Sequence, residues 1–271
     1  MKLTRLRLLS LLLLVSPLTK GQSEISAGVG ISSYYGDLIQ GSPLFQQPSF
    51  AASIGAAHHF TPHWGVRADM SLLQVKASDS KNKRDDLKAR NLSFKSNIFE
   101  FNVAGEYDLY DLNGGEKTFT PYAFLGVGFY HYNPFTTDRN GNKVYLRSKH
   151  TEGQGTSAYP ERKEYNLTQL QLPMGLGFKY ALDENIVLAL EFNYRYIGND
   201  YLDDVSKGSY PDLAFSAPGL TYRGDELPGG APYPPKGTGL NRGNPKNTDS
   251  YYSFIAKFIW RFKGSKVEIN Y

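Results

Sequence analysis

Large apolar side chains alternate with small, polar or charged ones between Leu188 and Tyr196. Leucine, phenylalanine or tyrosine occupies every second position there, and the intervening positions include Ala189, Glu191 and Arg195. A β-strand directs successive side chains to opposite faces, so this segment is predicted to be a strand with one apolar and one polar face. A soluble β-sandwich and a membrane barrel both contain such strands, and this segment alone does not distinguish them.

The same alternation recurs in eight segments, and the connections between them alternate between long and short. Long loops are predicted at 35–48, 76–94, 133–166 and 203–249, whereas short turns are predicted at 61–63, 111–118 and 183–185. An even number of strands, with tight turns at one end and long loops at the other, is typical of bacterial outer-membrane barrels. The predicted fold is therefore all-β, an eight-stranded antiparallel transmembrane β-barrel with long extracellular loops. The predicted strands are approximately 24–34, 49–60, 64–75, 96–107, 119–132, 167–180, 188–196 and 251–262.

The polar faces of these strands carry charges of both signs in equal number. An eight-stranded barrel has an interior that its own side chains fill, so these groups are expected to pair in a plugged lumen. Aromatic residues near the short turns are expected to form the girdle at the membrane interface. The predicted lumen charges are Arg67, Lys179, Arg195, Lys257 and Arg261, with Glu24, Asp69, Glu100, Glu106 and Glu191, and the girdle is Trp64, Tyr107, Tyr180, Trp260 and Phe262.

Both termini lie outside the alternating pattern. Residues 1–21 combine a basic start with an apolar run and small residues, which predicts a signal peptide. The barrel then occupies 22–262, and residues 263–271 form a periplasmic tail that either pairs with a partner's sheet edge, is disordered, or acts as an assembly signal. Without the signal peptide and its four basic residues, the chain has 26 basic and 26 acidic residues, which does not favour nucleic-acid binding. The chain has no cysteine, so disulfides and thiol chemistry are excluded.

One group of residues could suggest catalysis. Ser148, His150 and Glu152 are close in sequence, and a serine, a histidine and a carboxylate make up a hydrolytic triad. They belong to a long loop with nothing rigid to position them, so solvated side chains are the expectation. No enzymatic activity, cofactor or small-molecule substrate is predicted.

Two further groups could suggest a metal site. His58 and His59 are consecutive in a strand and point to opposite faces, so a common ligand set with His63 is not expected. The acidic residues of 200–212 could offer oxygen ligands to Ca²⁺, but their spacing matches no calcium loop, and solvated side chains are expected. These acidic residues are Asp200, Asp203, Asp204 and Asp212.

Several short motifs lie in the loops and at the strand ends. The motifs are 35–38 (YGDL), 92–96 (LSFKS), 126–129 (GVGF) with 133–134 (NP), 151–155 (TEGQG), 200–206 (DYLDDVS) and 242–244 (RGN). Together and in this order, they resemble those of the PorG-type outer-membrane proteins of the Bacteroidetes. The resemblance implies a component of the type IX secretion system, associated with a periplasmic ring of a lipoprotein and its partner. It supplies no catalytic residues.

The expected function is a structural or anchoring role in a protein secretion machine. The expected location is the outer membrane, with membrane lipid and the periplasmic ring proteins as partners. The alternative is an eight-stranded barrel with lipid-modifying or small-solute channel activity.

Overall fold

A computed structural model describes residues 21–39, 46–112, 117–233 and 241–262. Eight long strands pair antiparallel with their chain neighbours, and the last strand pairs with the first, which closes the barrel. The predicted all-β, eight-stranded antiparallel barrel is confirmed. Its strands are β1 (Gln22–Tyr35), β2 (Ser49–His59), β3 (Trp64–Ser78), β4 (Ser93–Asp108), β5 (Phe119–Tyr132), β8 (Thr168–Ala181), β9 (Ile186–Ile197) and β10 (Ser250–Phe262).

The outer surface of the barrel is a continuous apolar band. On β9, Leu190 is 64% exposed, whereas the next inward residue, Glu191, is only 3% exposed. Every other long strand repeats this alternation. Such a band around a closed barrel has to be covered by lipid, and the short-turn and long-loop ends are those of an outer-membrane protein. The protein is therefore an outer-membrane barrel embedded in lipid. Members of the predicted girdle that face outward are Trp64, Tyr107, Tyr180, Trp260 and Phe262.

Two of the long loops are more ordered than the sequence predicted. Strands β3 and β4 extend beyond the membrane band, so the predicted loop 76–94 shortens to 79–92 and contains a helix, α1 (Asp85–Arg90). The predicted loop 133–166 contains a small hairpin of β6 (Phe135–Thr137) and β7 (Lys143–Tyr145), which pairs with the end of β4. Among the described residues, no helix is long and apolar enough to cross a membrane.

The interior of the barrel has two layers of different chemistry. The half near the short turns contains most of the ion pairs, and the cavity between Glu24, Arg67, Tyr122 and Glu191 measures only ≈ 20 Å³. That volume is enough for about one water molecule. The pair of Arg195 and Glu100 lies beside Tyr251 in the other half. The half near the long loops is filled by buried apolar and aromatic side chains, most of them from the strands. They include Tyr34, Phe94, Ile98, Tyr130, Tyr132, Ile197 and Tyr251.

Two predicted segments fall outside the described residues. The signal peptide at 1–21 has only its last residue described, and the tail at 263–271 has none. Both assignments stay predictions.

Candidate functional site

The long loops fold together into one layer above the barrel. We call the described loop residues 36–39, 79–92, 133–167, 198–233 and 241–249 the cap. A column of stacked tyrosine rings joins the cap to the lumen: Tyr130 packs on Tyr132, Tyr132 on Tyr165, and Tyr165 on Tyr201, with ring centroids 4.8–6.1 Å apart. The apolar core of the barrel therefore continues into the cap without a break.

A buried arginine, Arg242, forms the centre of the cap. Its guanidinium donates to Glu152 Oε1 at 2.7 Å and to the backbone carbonyl of Asp204 at 2.6 Å. Glu152 is fully buried and also accepts the backbone N–H groups of Ser206 and Lys207, both at 2.9 Å. Three segments that are distant in sequence, two of them from the connection between β9 and β10, are thereby joined by one charged cluster.

A second buried arginine joins the remaining loops to this centre. Arg90 makes a two-point contact with Asp79, with both distances 2.7 Å, and also donates to the backbone carbonyls of Arg242 and Asp37. The Asp37 carboxylate accepts the backbone N–H of Asn244 at 2.7 Å. The motifs at 35–38, 151–155, 200–206 and 242–244 all meet in these contacts, although the sequence did not predict that they would.

Four carboxyl groups of the cap lie close together, and none of them forms an ion pair among the described residues. Tyr34 donates its hydroxyl to both Asp203 and Asp249, and Asp37 and Asp200 act on this pair electrostatically. Burial, reinforced by the neighbouring carboxylates, raises the pKa of Asp203 and Asp249 well above the usual range. Burial and the charge of Asp37 raise the pKa of Asp200 to about 8.

The expectation that the acidic residues of 200–212 are solvated is wrong for two of the four. Asp203 and Asp204 are 1% and 0% exposed, because the preceding tyrosine column and the Arg242 cluster enclose them. Burial raises the pKa of Asp204 to about 6, although Arg242 opposes the shift. Asp212 is exposed as expected, and Asp200 is half-buried.

The suggested catalytic group does not assemble among the described residues. Ser148 donates to the carbonyl of Tyr145, and His150 Nδ1 lies 2.6 Å from the carbonyl of Gln154. The expectation of a solvated Glu152 is wrong, since its carboxylate is committed to Arg242. Glu152 therefore stabilises the loop structure through its ion pair with Arg242.

The cap carboxyls give a pH-dependent stability. A carboxyl with a raised pKa in the folded state favours folding when protonated, and this contribution disappears as the pH rises through the folded-state pKa. The cap should therefore lose stability as the pH rises from about 4, the pKa of an unfolded aspartate, through the folded-state pKa of about 6 at Asp204 and of about 8 at Asp200. The stability of Asp200→Asn should match that of the parent at about pH 4 and exceed it at about pH 9 by about 2 kcal/mol, after discounting for solvent screening.

Hydrogen exchange of cap amides as a function of pH measures this effect. Asp212→Asn, at an exposed carboxylate in the same loop, serves as the matched control and should leave the profile unchanged. An Asp200→Asn profile that coincides with the parent at every pH would contradict the assignment.

The predicted lumen charges all face inward and most pair as expected. Arg195 contacts Glu100 at 2.6 Å, Arg261 contacts Glu24 at 2.8 Å, and the remaining members form a connected network. In that network Arg67 bridges Asp69, Glu106 and Glu191, Lys257 contacts Asp69 and Glu191, and Lys179 contacts Glu106 and Asp108.

The sequence missed two members of this network. Asp108 belongs to the lumen because β4 runs one residue further than predicted. His58 and His59 do point to opposite faces, and His59 turns inward, where its Nε2 lies 3.3 Å from Glu106 and 3.2 Å from Asp108. Alternation along β2 was the signal that could have placed His59 in the lumen. Its partners on β4 were not recognisable from local sequence.

A family model matches most of the sequence. This model, described as a domain of unknown function, DUF6089, matches residues 4–217. No protein with a curated description matches the sequence.

Three solved structures are similar to this chain over most of its length. The attachment invasion locus protein Ail of Yersinia pestis, in complex with the heparin analogue sucrose octasulfate, is 12% identical, with 90% of this chain and 99% of Ail covered and a TM-score of 0.43. Neisserial surface protein A is 11% identical, with 90% and 100% covered and a TM-score of 0.45. A major outer membrane protein from Thermus thermophilus is 14% identical, with 89% and 99% covered and a TM-score of 0.42.

Proposed function

Because this chain belongs to the DUF6089 family, whose description assigns no function, we propose its role from the geometry and the sequence motifs. The protein is a non-enzymatic, non-conducting outer-membrane barrel that serves as a structural anchor in a secretion machine of the type IX kind. The observation that carries the anchoring role is the closed interior, with ion pairs in one half and packed aromatic side chains in the other.

The closed interior favours anchoring over transport. A solute would have to separate the Arg67 network and then displace Tyr130, Tyr132 and Tyr251, which are fully buried. Removing one partner from such a buried pair costs about 3–5 kcal/mol, so spontaneous opening is rare. A small-solute channel, the alternative function, has no support from this arrangement.

The short-turn end supports a partner in the periplasm. Its turns carry exposed apolar side chains, including Phe60, Leu109, Tyr110 and Leu182, each 43–56% exposed. Apolar groups beyond the girdle are suited to contact with another protein. The secretion role and the ring of a lipoprotein and its partner come from the motif resemblance, and the turns are the surface we assign to that contact.

Two measurements test the proposal. Deleting the gene should impair export of many unrelated cargo proteins, and the purified barrel should give no conductance steps in planar bilayers. Leu109→Glu combined with Tyr110→Glu should keep the barrel in the membrane but abolish co-purification of periplasmic partners. Leu213→Glu, at a cap side chain of similar exposure (55%), should retain them.

Other outcomes would redirect the assignment. Regular conductance steps would favour a channel. Normal export together with altered membrane lipid in the deletion strain would favour a lipid-modifying enzyme. Unchanged co-purification with the turn variant would reject the turns as the contact surface.

A further inference from the structure

His59 occupies an unusual position at the periplasmic end of the lumen. It is the last residue of β2, its side chain is 4% exposed, and its Nδ1 has no hydrogen-bond partner among the described residues. The ring crosses over β3 at Gly65, where a Cβ atom would lie 2.8 Å from His59 Cδ2. The missing side chain at Gly65 thus lets the imidazole reach from β2 towards β4.

The groups that His59 meets on β4 are two carboxylates. Glu106 and Asp108 are two residues apart in the strand and therefore point to the same face. His59 Nε2 lies 3.3 Å from Glu106 Oε1 and 3.2 Å from Asp108 Oδ2. The second oxygen of Asp108, Oδ1, is buried without a hydrogen-bond partner.

This arrangement has the composition and spacing of a metal site. One nitrogen and two carboxylate oxygens lie within 4.8 Å of one another. Bonds of about 2.0–2.2 Å to a tetrahedral ion separate neighbouring ligand atoms by about 3.3–3.6 Å. The two distances from His59 are close to that separation, so little rearrangement is needed to admit an ion.

The charge balance of this half of the lumen is also short of one positive charge. Among the described residues it contains five carboxylates but only four lysine and arginine side chains. A proton on His59 balances this charge, whereas a divalent ion beside a neutral His59 exceeds it by one positive charge. The carboxylates are those of Glu24, Asp69, Glu106, Asp108 and Glu191, and the basic residues are Arg67, Lys179, Lys257 and Arg261.

We propose that His59, Glu106 and Asp108 form a binding site for a divalent transition-metal ion such as Zn²⁺ at the periplasmic end of the lumen. Imidazole and carboxylate are ligands that Zn²⁺ accepts in proteins, and solvent can complete its coordination. The ion connects β2 to β4 across β3, and binding to the folded state stabilises the barrel.

Lys179 is the competitor for this site. Its Nζ lies 2.6 Å from Glu106 Oε1 and 3.0 Å from Asp108 Oδ2, the same two oxygens that face His59. The ammonium group has to withdraw when the ion binds, and its flexible stem allows this movement. Removing the lysine charge should therefore strengthen metal binding, which distinguishes this site from an adventitious contact elsewhere.

The test is a metal titration of the complete, tag-free barrel in detergent micelles after EDTA treatment. Calorimetry with Zn²⁺ should show one site with a Kd below about 10 µM. His59→Gln should weaken binding at least tenfold, whereas His131→Gln, at an exposed histidine that contacts Thr168, should leave it unchanged. Lys179→Met should tighten binding about tenfold or more.

Two results of the titration would reject the metal site. The absence of Zn²⁺ binding in the parent protein would overturn it and identify Lys179 and a protonated His59 as the permanent occupants. Equal affinity in His59→Gln would also overturn it. If that variant does not fold, Co²⁺ absorption of the parent decides: a spectrum with nitrogen and oxygen ligands supports the site, and the spectrum of hydrated Co²⁺ rejects it.

Discussion

Arg242→Met should unfold the cap while the barrel strands stay paired. The substitution keeps most of the side-chain volume but leaves Glu152, which is 0% exposed, without its cation. It also removes donors to the carbonyl groups of Asp204 and Thr221. Breaking a buried pair by removing one partner costs about 3–5 kcal/mol, and the loss should fall on the cap alone.

Native-state hydrogen exchange measures the cap and the barrel separately. Amides of 152–167 and 200–209 should lose protection, whereas those of β9 and β10 should keep theirs. Arg139→Met is the matched control, because its pairs with Asp225 and Glu226 are similar in length but its side chain is 49% exposed. The control should have little effect on the protection of the cap amides, because solvent screens an exposed ion pair. Equal losses in the two variants would show that burial of the Arg242 cluster is not what stabilises the cap.

The barrel was predictable because each strand is recognisable from the residues within it. Alternation with a period of two is visible within any ten residues of β9, and it determines which side chains face lipid. The strand count and the alternation of long and short connections then determined closure. The faces of Glu191 and Leu190 follow directly from that pattern, and both predictions are confirmed.

The cap was not predictable because its contacts join distant parts of the chain. Arg242 and Glu152 are 90 residues apart, and Asp37 and Asn244 are 207 apart. Loops without periodicity carry no sign of which charges will be buried, so a solvated Glu152 was the natural expectation. The motifs in which these residues lie were noticed, but only the folded chain shows that they contact one another.

Only the charged part of the lumen was predictable from the sequence. The inward-facing charges could be predicted from alternation. On β5, however, both faces carry large apolar or aromatic residues, so the pattern does not tell which face points into the lumen. The structure places Tyr130 and Tyr132 inside and Phe129 outside. Glycines on β8 explain part of this choice, since a Cβ at Gly177 would lie 2.4 Å from the Tyr122 ring.

Leu190→Arg should destabilise the barrel by about 2–4 kcal/mol in a lipid bilayer, because it places a charge on the lipid-facing surface near the middle of β9. Leu190 is 64% exposed, and its cross-strand neighbours are Ala256 on β10 and Phe178 on β8. Because most of the side chain faces outward, most of the expected cost comes from moving the guanidinium into hydrocarbon. Urea titrations of the barrel folded into phospholipid vesicles measure the difference.

Leu213→Arg provides the decisive comparison. Leu213 is 55% exposed, similar to Leu190, but it lies in the cap, where water surrounds it. In a soluble protein, arginine at two exposed leucine positions would have small effects of similar size, typically within about 0.5 kcal/mol. In a membrane barrel only the β9 position is costly, and its cost should decrease for positions nearer the strand ends. Equal, small effects at Leu190 and Leu213 would mean that the apolar band is not covered by lipid.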